Sequence, residues 1–161
     1  MAPIPPSGAE EFLAQRLVAS LGTQNQDGSI RLTAVWYLFE GATFYIATSS
    51  RSRKARNVMA RPKASLMVDT RRPGSERGIV ASCAAEVITG EESRQINARL
   101  HRRYMSEAAL ADPRLRPLLI DMDDVTIRLT PASWYEWNMS AFDDAVLGGA
   151  MKTPGYLLPL D

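Results

Sequence analysis

The sequence predicts a mainly antiparallel β fold, closed into a barrel and flanked by a few short helices. Three observations carry this reading. Several short runs alternate between two kinds of residue with period two, as strands with unlike faces do. The early turns, at 24–28 and 40–41, are too short for the crossovers that parallel strands need, so neighbouring strands must run antiparallel. Six candidate strands in 161 residues would leave costly edges, and closure into a barrel removes them.

Along the chain, residues 1–8 are Pro-rich and read as an extended arm. A single domain is expected over 9–139, followed by a tail from Ser140 that orders on contact or stays loose. Residues 9–16 read as a short helix with Phe12 and Leu13 turned inward, and 17–23 as a strand. The turn that follows contains Asp27-Gly28, a strong hairpin signal because glycine accepts positive φ without strain. In the run 30–39, Ile30, Leu32, Ala34, Trp36 and Leu38 share one face. Arg31, Thr33, Val35, Tyr37 and Phe39 share the other, whose mixture of a cation, a hydroxyl and rings suits the wall of a ligand site. After the turn at Glu40-Gly41, 43–48 returns as a strand.

Ser52 is placed to N-cap a helix reaching about Met59, which Arg61-Pro62 stops. Strands are expected at 64–69 and 79–88, with a polar loop from Thr70 to Gly78 between them. Thr89-Gly90-Glu91-Glu92 has the form of a capping box. The helix behind it carries Ile96, Leu100 and Tyr104 at spacing four, and a further helical stretch holds Leu115, Leu118 and Leu119. The strand 125–130 closes the fold, and Trp134, Tyr135 and Trp137 follow it as core, dimer contact or lid.

Composition narrows the function. The chain is 45% hydrophobic and 23% charged, as a soluble domain with a real core would be. A net charge of +1 argues against a polycation built for nucleic acid. Cys83 is the sole cysteine, which excludes an intrachain disulfide and a thiolate metal cluster; its alternation with Ile79, Ala81 and Ala85 marks it as a small core residue. With one histidine, His101, the sequence is read as having no Ser/His/Asp arrangement, and no metal-ligand spacing appears. His101 sits between Leu100 and Arg102-Arg103 and reads as a surface residue, with haem ligation the alternative. The pairs Asp123-Asp124 and Asp143-Asp144 are adjacent, so their carboxylates point apart, and they read as turn or surface residues. The N-terminus lacks the form of a secretory signal and no apolar run approaches a bilayer-spanning length, so a cytoplasmic protein with no membrane partner is expected.

The densest cluster of charge is the chemical clue. Six cations lie between Arg51 and Lys63, with no acid until Asp69. They crowd the start of the predicted helix, where the peptide dipoles already place partial positive charge, so each is mildly unfavourable there unless an anion intervenes. Free backbone amides, the Ser52 hydroxyl and the Arg53 and Lys54 side chains would together grip a phosphate. A solvated basic face is the plainer reading. The position of the cations at the unfavourable end of the dipole, and the mixed face of the preceding strand, favour the anion.

The block 44-FYIATSSRSRKARNVMARPKASLMVD-69, preceded by 22-GTQNQDGSIRLTAVWY-37, resembles the pyridoxamine 5′-phosphate oxidase-like split β-barrel proteins, and within them the flavin and deazaflavin oxidoreductases. The resemblance is strongest from Leu17 to Ile88. It implies a split β-barrel homodimer with FMN or the deazaflavin coenzyme F-420 in a groove between subunits. By position, Ser52, Arg53 and Lys54 would hold the cofactor phosphate and Thr48 would touch the same end. Thr33, Val35 and Trp36 would run along the ring system, and Asn57 would fix the helix or reach a phosphate. The partner subunit would contribute from 79–88 and from near Trp134. Arg56, Arg61 and Lys63 would meet the charged tail of F-420, which slightly favours that cofactor. Vitamin B6 phosphate oxidation is disfavoured, because a C-terminal Arg for the substrate phosphate is missing: after Arg128 the only cation is Lys152. The implied activity is hydride transfer between the bound cofactor and a small conjugated or aromatic molecule. The alternative is a non-catalytic flavin- or haem-binding protein of the same fold.

Overall fold

In the computed structural model, which describes residues 3–74 and 76–159, seven strands form one antiparallel sheet. Met1 and Ala2 of the expected arm, Ser75 of the polar loop, and Leu160 and Asp161 of the tail lie outside the described residues. The strands are β1 (Ala19–Gln24), β2 (Ile30–Val35), β3 (Leu38–Glu40), β4 (Thr43–Thr48), β5 (Lys63–Thr70), β6 (Arg77–Ile88) and β7 (Val125–Asn138), in the spatial order β2-β1-β5-β6-β7-β4-β3. The two outermost strands, β2 and β3, are separated in sequence by Trp36 and Tyr37 alone. Two residues span only about 7 Å. The sheet must therefore curl until its edges meet, and the barrel is split where they do.

That split explains why the expected single strand 30–39 is two. Tyr37 turns into the core, and its hydroxyl donates to the Leu13 and Gln15 carbonyls at 3.0 and 3.3 Å. Its own backbone amide and carbonyl are met by the Tyr104 hydroxyl at 3.4 and 3.2 Å. A side chain thus supplies what a neighbouring strand would have supplied. The alternation of faces survives the break, but its predicted use does not. Val35 and Tyr37 are buried in the barrel core and the part-exposed Phe39 packs against it, so of the mixed face Arg31 is exposed and Thr33 partly so, and the rings face the core.

The core is built from the inward rows of the strands, among them Leu21, Phe44, Ile46, Leu66, Val68, Ile79, Ile127 and Leu129, together with Phe12 and Leu13 of α1 (Ala9–Ala14). Full burial of each large side chain contributes about 1.5–3 kcal/mol. Cys83 is one of these core residues, and burial pushes its thiol up to about 12, so it stays protonated near neutral pH. On the outside, α3 (Gly90–Tyr104) lays Ile96 and Leu100 over Leu38 and Ile88. Its C-terminal Arg103 donates to the carbonyls of Leu13, Ala14 and Gln15, closing the end of α1.

Several expectations need correction. The last strand runs to Asn138 rather than 130, and the residues 134–137 are part of it. It passes through Pro131 because a register shift at Ser82/Cys83 relaxes the ladder there. Trp134 is not a lid: it packs against Phe39 and Phe44, and its Nε1 donates to the Pro3 carbonyl of the arm. Trp137 lies across Gly78, where a Cβ would stand 1.9 Å from the indole. The capping box at Thr89 does not form. Thr89 makes no side-chain cap, and Glu92 lies 3.6 Å from Arg128 instead. The further helical stretch is two short pieces, α4 (Glu107–Ala111) and α5 (Arg116–Leu119), and Leu115 and Leu119 are exposed. The tail forms α6 (Met139–Phe142) and two further turns, and Met151 and Leu157 line a hollow with Pro73 and Gly74.

Candidate functional site

Strand β4 delivers the chain into α2 (Arg53–Ala60) as the sequence predicts, with Ser52 as its N-cap. The Ser52 Oγ accepts from the Ala55 amide at 3.2 Å and from the buried Thr48 hydroxyl at 3.1 Å. Both of its lone pairs are then used, and its own proton is left to donate. The amides of Arg53 and Lys54 have no acceptor among the described residues. Two free amides, one free hydroxyl proton and the positive end of a helix therefore converge.

The cations flank this point. Arg53 lines an open hollow of about 460 Å³ with Arg31, Asn25, Gln26 and Asp27 of the β1–β2 hairpin. Lys54 is partly buried, and that burial pulls its ammonium below the usual lysine range; nearby Asp123 opposes the shift and Arg31 reinforces it. Asn57 is buried and donates to the Thr23 hydroxyl at 3.1 Å and the Asn25 side chain at 2.9 Å. Of the two roles expected for Asn57, its amide thus performs the fixing of the helix against β1. Arg61 donates to the Gln26 carbonyl at 3.4 Å, on the same hairpin.

Thr33 and Val35 lie on β2, an edge strand of the sheet whose outer side no other strand covers, and Trp36 follows directly after it, in the break before β3. Val35 and Trp36 line a second hollow of about 340 Å³ with Ala34, Val18, Leu119 and Asp123. The Trp36 ring stacks on Tyr104 at 4.9 Å. Thr33 and Val35 occupy one face of the strand, with Thr33 part-exposed and Val35 buried, while Trp36 lies beyond the strand's end.

The sequence reading missed the acids. Asp124 accepts from the Ser50 amide and hydroxyl, both at 2.6 Å, which holds its carboxyl below the usual range and pins the loop leading into α2. Asp123 accepts at Oδ2 from, or shares a proton with, His101 Nε2 at 2.9 Å. His101 is 2% exposed, so the expected surface histidine is a buried one, and its Nε2 faces a carboxylate. A legible sign was available: Ser93, Asn97 and His101 recur every four residues on α3, and all three are buried against 123–126. Groups of three or more metal-ligating side chains are absent among the described residues, as are helices long and apolar enough to cross a membrane.

A curled antiparallel sheet, split where its two edge strands come together, defines the class: an antiparallel split-barrel protein. The chain belongs to the pyridoxamine 5′-phosphate oxidase family, whose model matches residues 7–138. Among solved structures it is similar to the conserved hypothetical protein Rv2991 from Mycobacterium tuberculosis, at 19% identity and TM-score 0.71, covering 88% of this chain and 89% of that one. An F420 reductase is similar at 22% identity and TM-score 0.64, covering 82% and 98%. HutZ, a haem storage protein from Vibrio cholerae, is similar at 17% identity and TM-score 0.62, covering 81% and 92%. No curated protein matches the chain. At these identities the structural likenesses show the fold.

Proposed function

We propose that the protein is an oxidoreductase that transfers a hydride between a bound deazaflavin, F-420, or FMN and a small conjugated or aromatic molecule. One observation carries this reading. Arg53, at the unpaired donors of the α2 start, shares an open hollow with Arg31 of the edge strand β2, so one ligand with an anionic end and a flat end would meet both. The donor set fits a phosphate, since it offers hydrogen-bond donors and positive charge. The cofactor's ring would supply the hydride chemistry, and the chain would supply position and charge. The buried His101 weighs against haem ligation through that residue. Purified protein titrated with FMN and with F-420 is expected to perturb the absorption spectrum of at least one of them. Spectra unchanged by either, or a Soret band on adding haem alone, would sink the reading.

The homodimer belongs to the same proposal. Ile30 and Leu32 are 64% and 73% exposed, and they border a broad shallow hollow on the sheet's outer face with Gly22, Ser65, Val80 and Ala84. Such a flat apolar face suits a second copy of the chain. Leu32→Asp is expected to convert a sedimenting dimer to monomer without unfolding it; a monomeric wild type removes the dimer from the proposal.

A further inference from the structure

We propose that Asp123 binds the hydroxyl groups of a polyol chain joining the ligand's anionic end to its flat end, an assignment that rests on the cofactor reading above. Three features lead here. Asp123 lines the hollow beside Trp36 and Val35, and its charge reaches Lys54, so it stands between the two ends of the site. Its Oδ2 is taken by His101, while its Oδ1 has no partner among the described residues, and the side chain is 24% exposed. The residue is also held with unusual care. Its amide donates to the Ile120 carbonyl, its carbonyl accepts from Asn97 Nδ2 at 2.9 Å, and the next residue, Asp124, is fixed to Ser50.

A carboxylate so placed is a poor neighbour for an anion. Beside Lys54 it cancels part of the positive field that a phosphate would feel. If it served only to satisfy His101, a neutral acceptor would do so without that cost. An acceptor of hydroxyl protons has a reason to be ionised, because hydrogen bonds to charged groups are about twice as strong as neutral ones. The two roles therefore differ in sign. Removing the charge should improve binding of a bare anion and impair binding of an anion that carries hydroxyls along the chain.

The test compares the full-length wild type with Asp123→Ala and Asp123→Asn by titration calorimetry, using FMN, F-420 and inorganic phosphate. Asp123→Ala is expected to weaken whichever cofactor the wild type retains by about ten- to a hundredfold, while phosphate binds as well as before or better. Asp123→Asn keeps a hydrogen-bonding partner for His101 and is expected to show the same signs with a smaller loss, so it decides the matter if the Ala variant does not fold. Cofactor binding that is unchanged or tighter in the folded variants overturns the assignment, and so does a parallel loss of phosphate and cofactor. A wild type that binds neither cofactor overturns the cofactor reading itself.

Discussion

The double variant Arg53→Ala/Lys54→Ala is expected to lose cofactor affinity by at least about tenfold while remaining folded. Charge-assisted hydrogen bonds contribute about 1.5–3 kcal/mol each, and 1.4 kcal/mol is a factor of ten in a dissociation constant. The stability side has the opposite tendency. Arg53 is exposed, and Lys54 is half-buried in the field of Arg31 at the positive end of α2. Neither makes an ion pair among the described residues, so their removal costs the free protein little: Lys54 gives up the attraction of Asp123 but also its burial penalty, the repulsion of Arg31 and an unfavourable place on the helix dipole. The pH dependence carries the same signature. Burial has already moved Lys54 below the ordinary lysine value, and a bound anion favours its charged form. Affinity should therefore decline as pH rises through that lowered value, earlier than for an ordinary lysine, and the double variant should lack this decline. Fluorescence titration against pH checks both points. Wild-type affinity in a folded double variant would remove the phosphate from the start of α2.

What the sequence revealed and what it hid follow from the range of the interactions involved. The start of α2 was legible because its parts are neighbours in the chain: the Ser52 cap, the cations of the first turn and the breaking Pro62 lie within eleven residues. The antiparallel barrel was legible because period two and short turns are local signals too. The split at Trp36 and Tyr37 was not, since the Tyr104 hydroxyl that meets the Tyr37 backbone and the Leu13 and Gln15 carbonyls that hold its side chain come from remote parts of the chain. Asp123 and Asp124 looked like a turn for a similar reason. Their partners, His101 and Ser50, lie 22 and 74 residues away, and although the polar stripe on α3 marks His101 as facing inward, nothing local says which acid it meets. The mixed face of β2 misled because alternation tells which residues share a side, and burial alone decides which side is inside.

Asn97→Ala is expected to be the most damaging single polar change, because Asn97 joins the helix to the loop that carries both acids. Its Nδ2 donates to the carbonyls of Asp123 and Val125 at 2.9 and 3.2 Å, and its Oδ1 accepts from the Thr126 hydroxyl at 2.6 Å. Two carbonyls on one side and a hydroxyl donor on the other fix the orientation of the amide. The residue is buried, so truncation leaves these groups without water to replace it. Thr126 can turn back to Ser93, whose Oγ lies 2.8 Å away, and recovers part of the loss. The two carbonyls have no such alternative on α3. A buried unsatisfied group costs about 1–3 kcal/mol, so a net loss of about 3 kcal/mol follows. At about 2–4 °C per kcal/mol for a chain of this size, the melting temperature should fall by roughly 6–12 °C. Gln95→Ala, on the exposed side of the same helix, should shift it by little. The cofactor offers a second readout, since loosening the 123–124 segment frees both Asp123 and the Ser50 loop ahead of α2. Asn97→Ala should therefore bind FMN or F-420 several-fold more weakly at temperatures where it is still folded. A variant that melts within about 2 °C of wild type would show that α3 does not hold this segment, and the link between the polar stripe and the site would be lost.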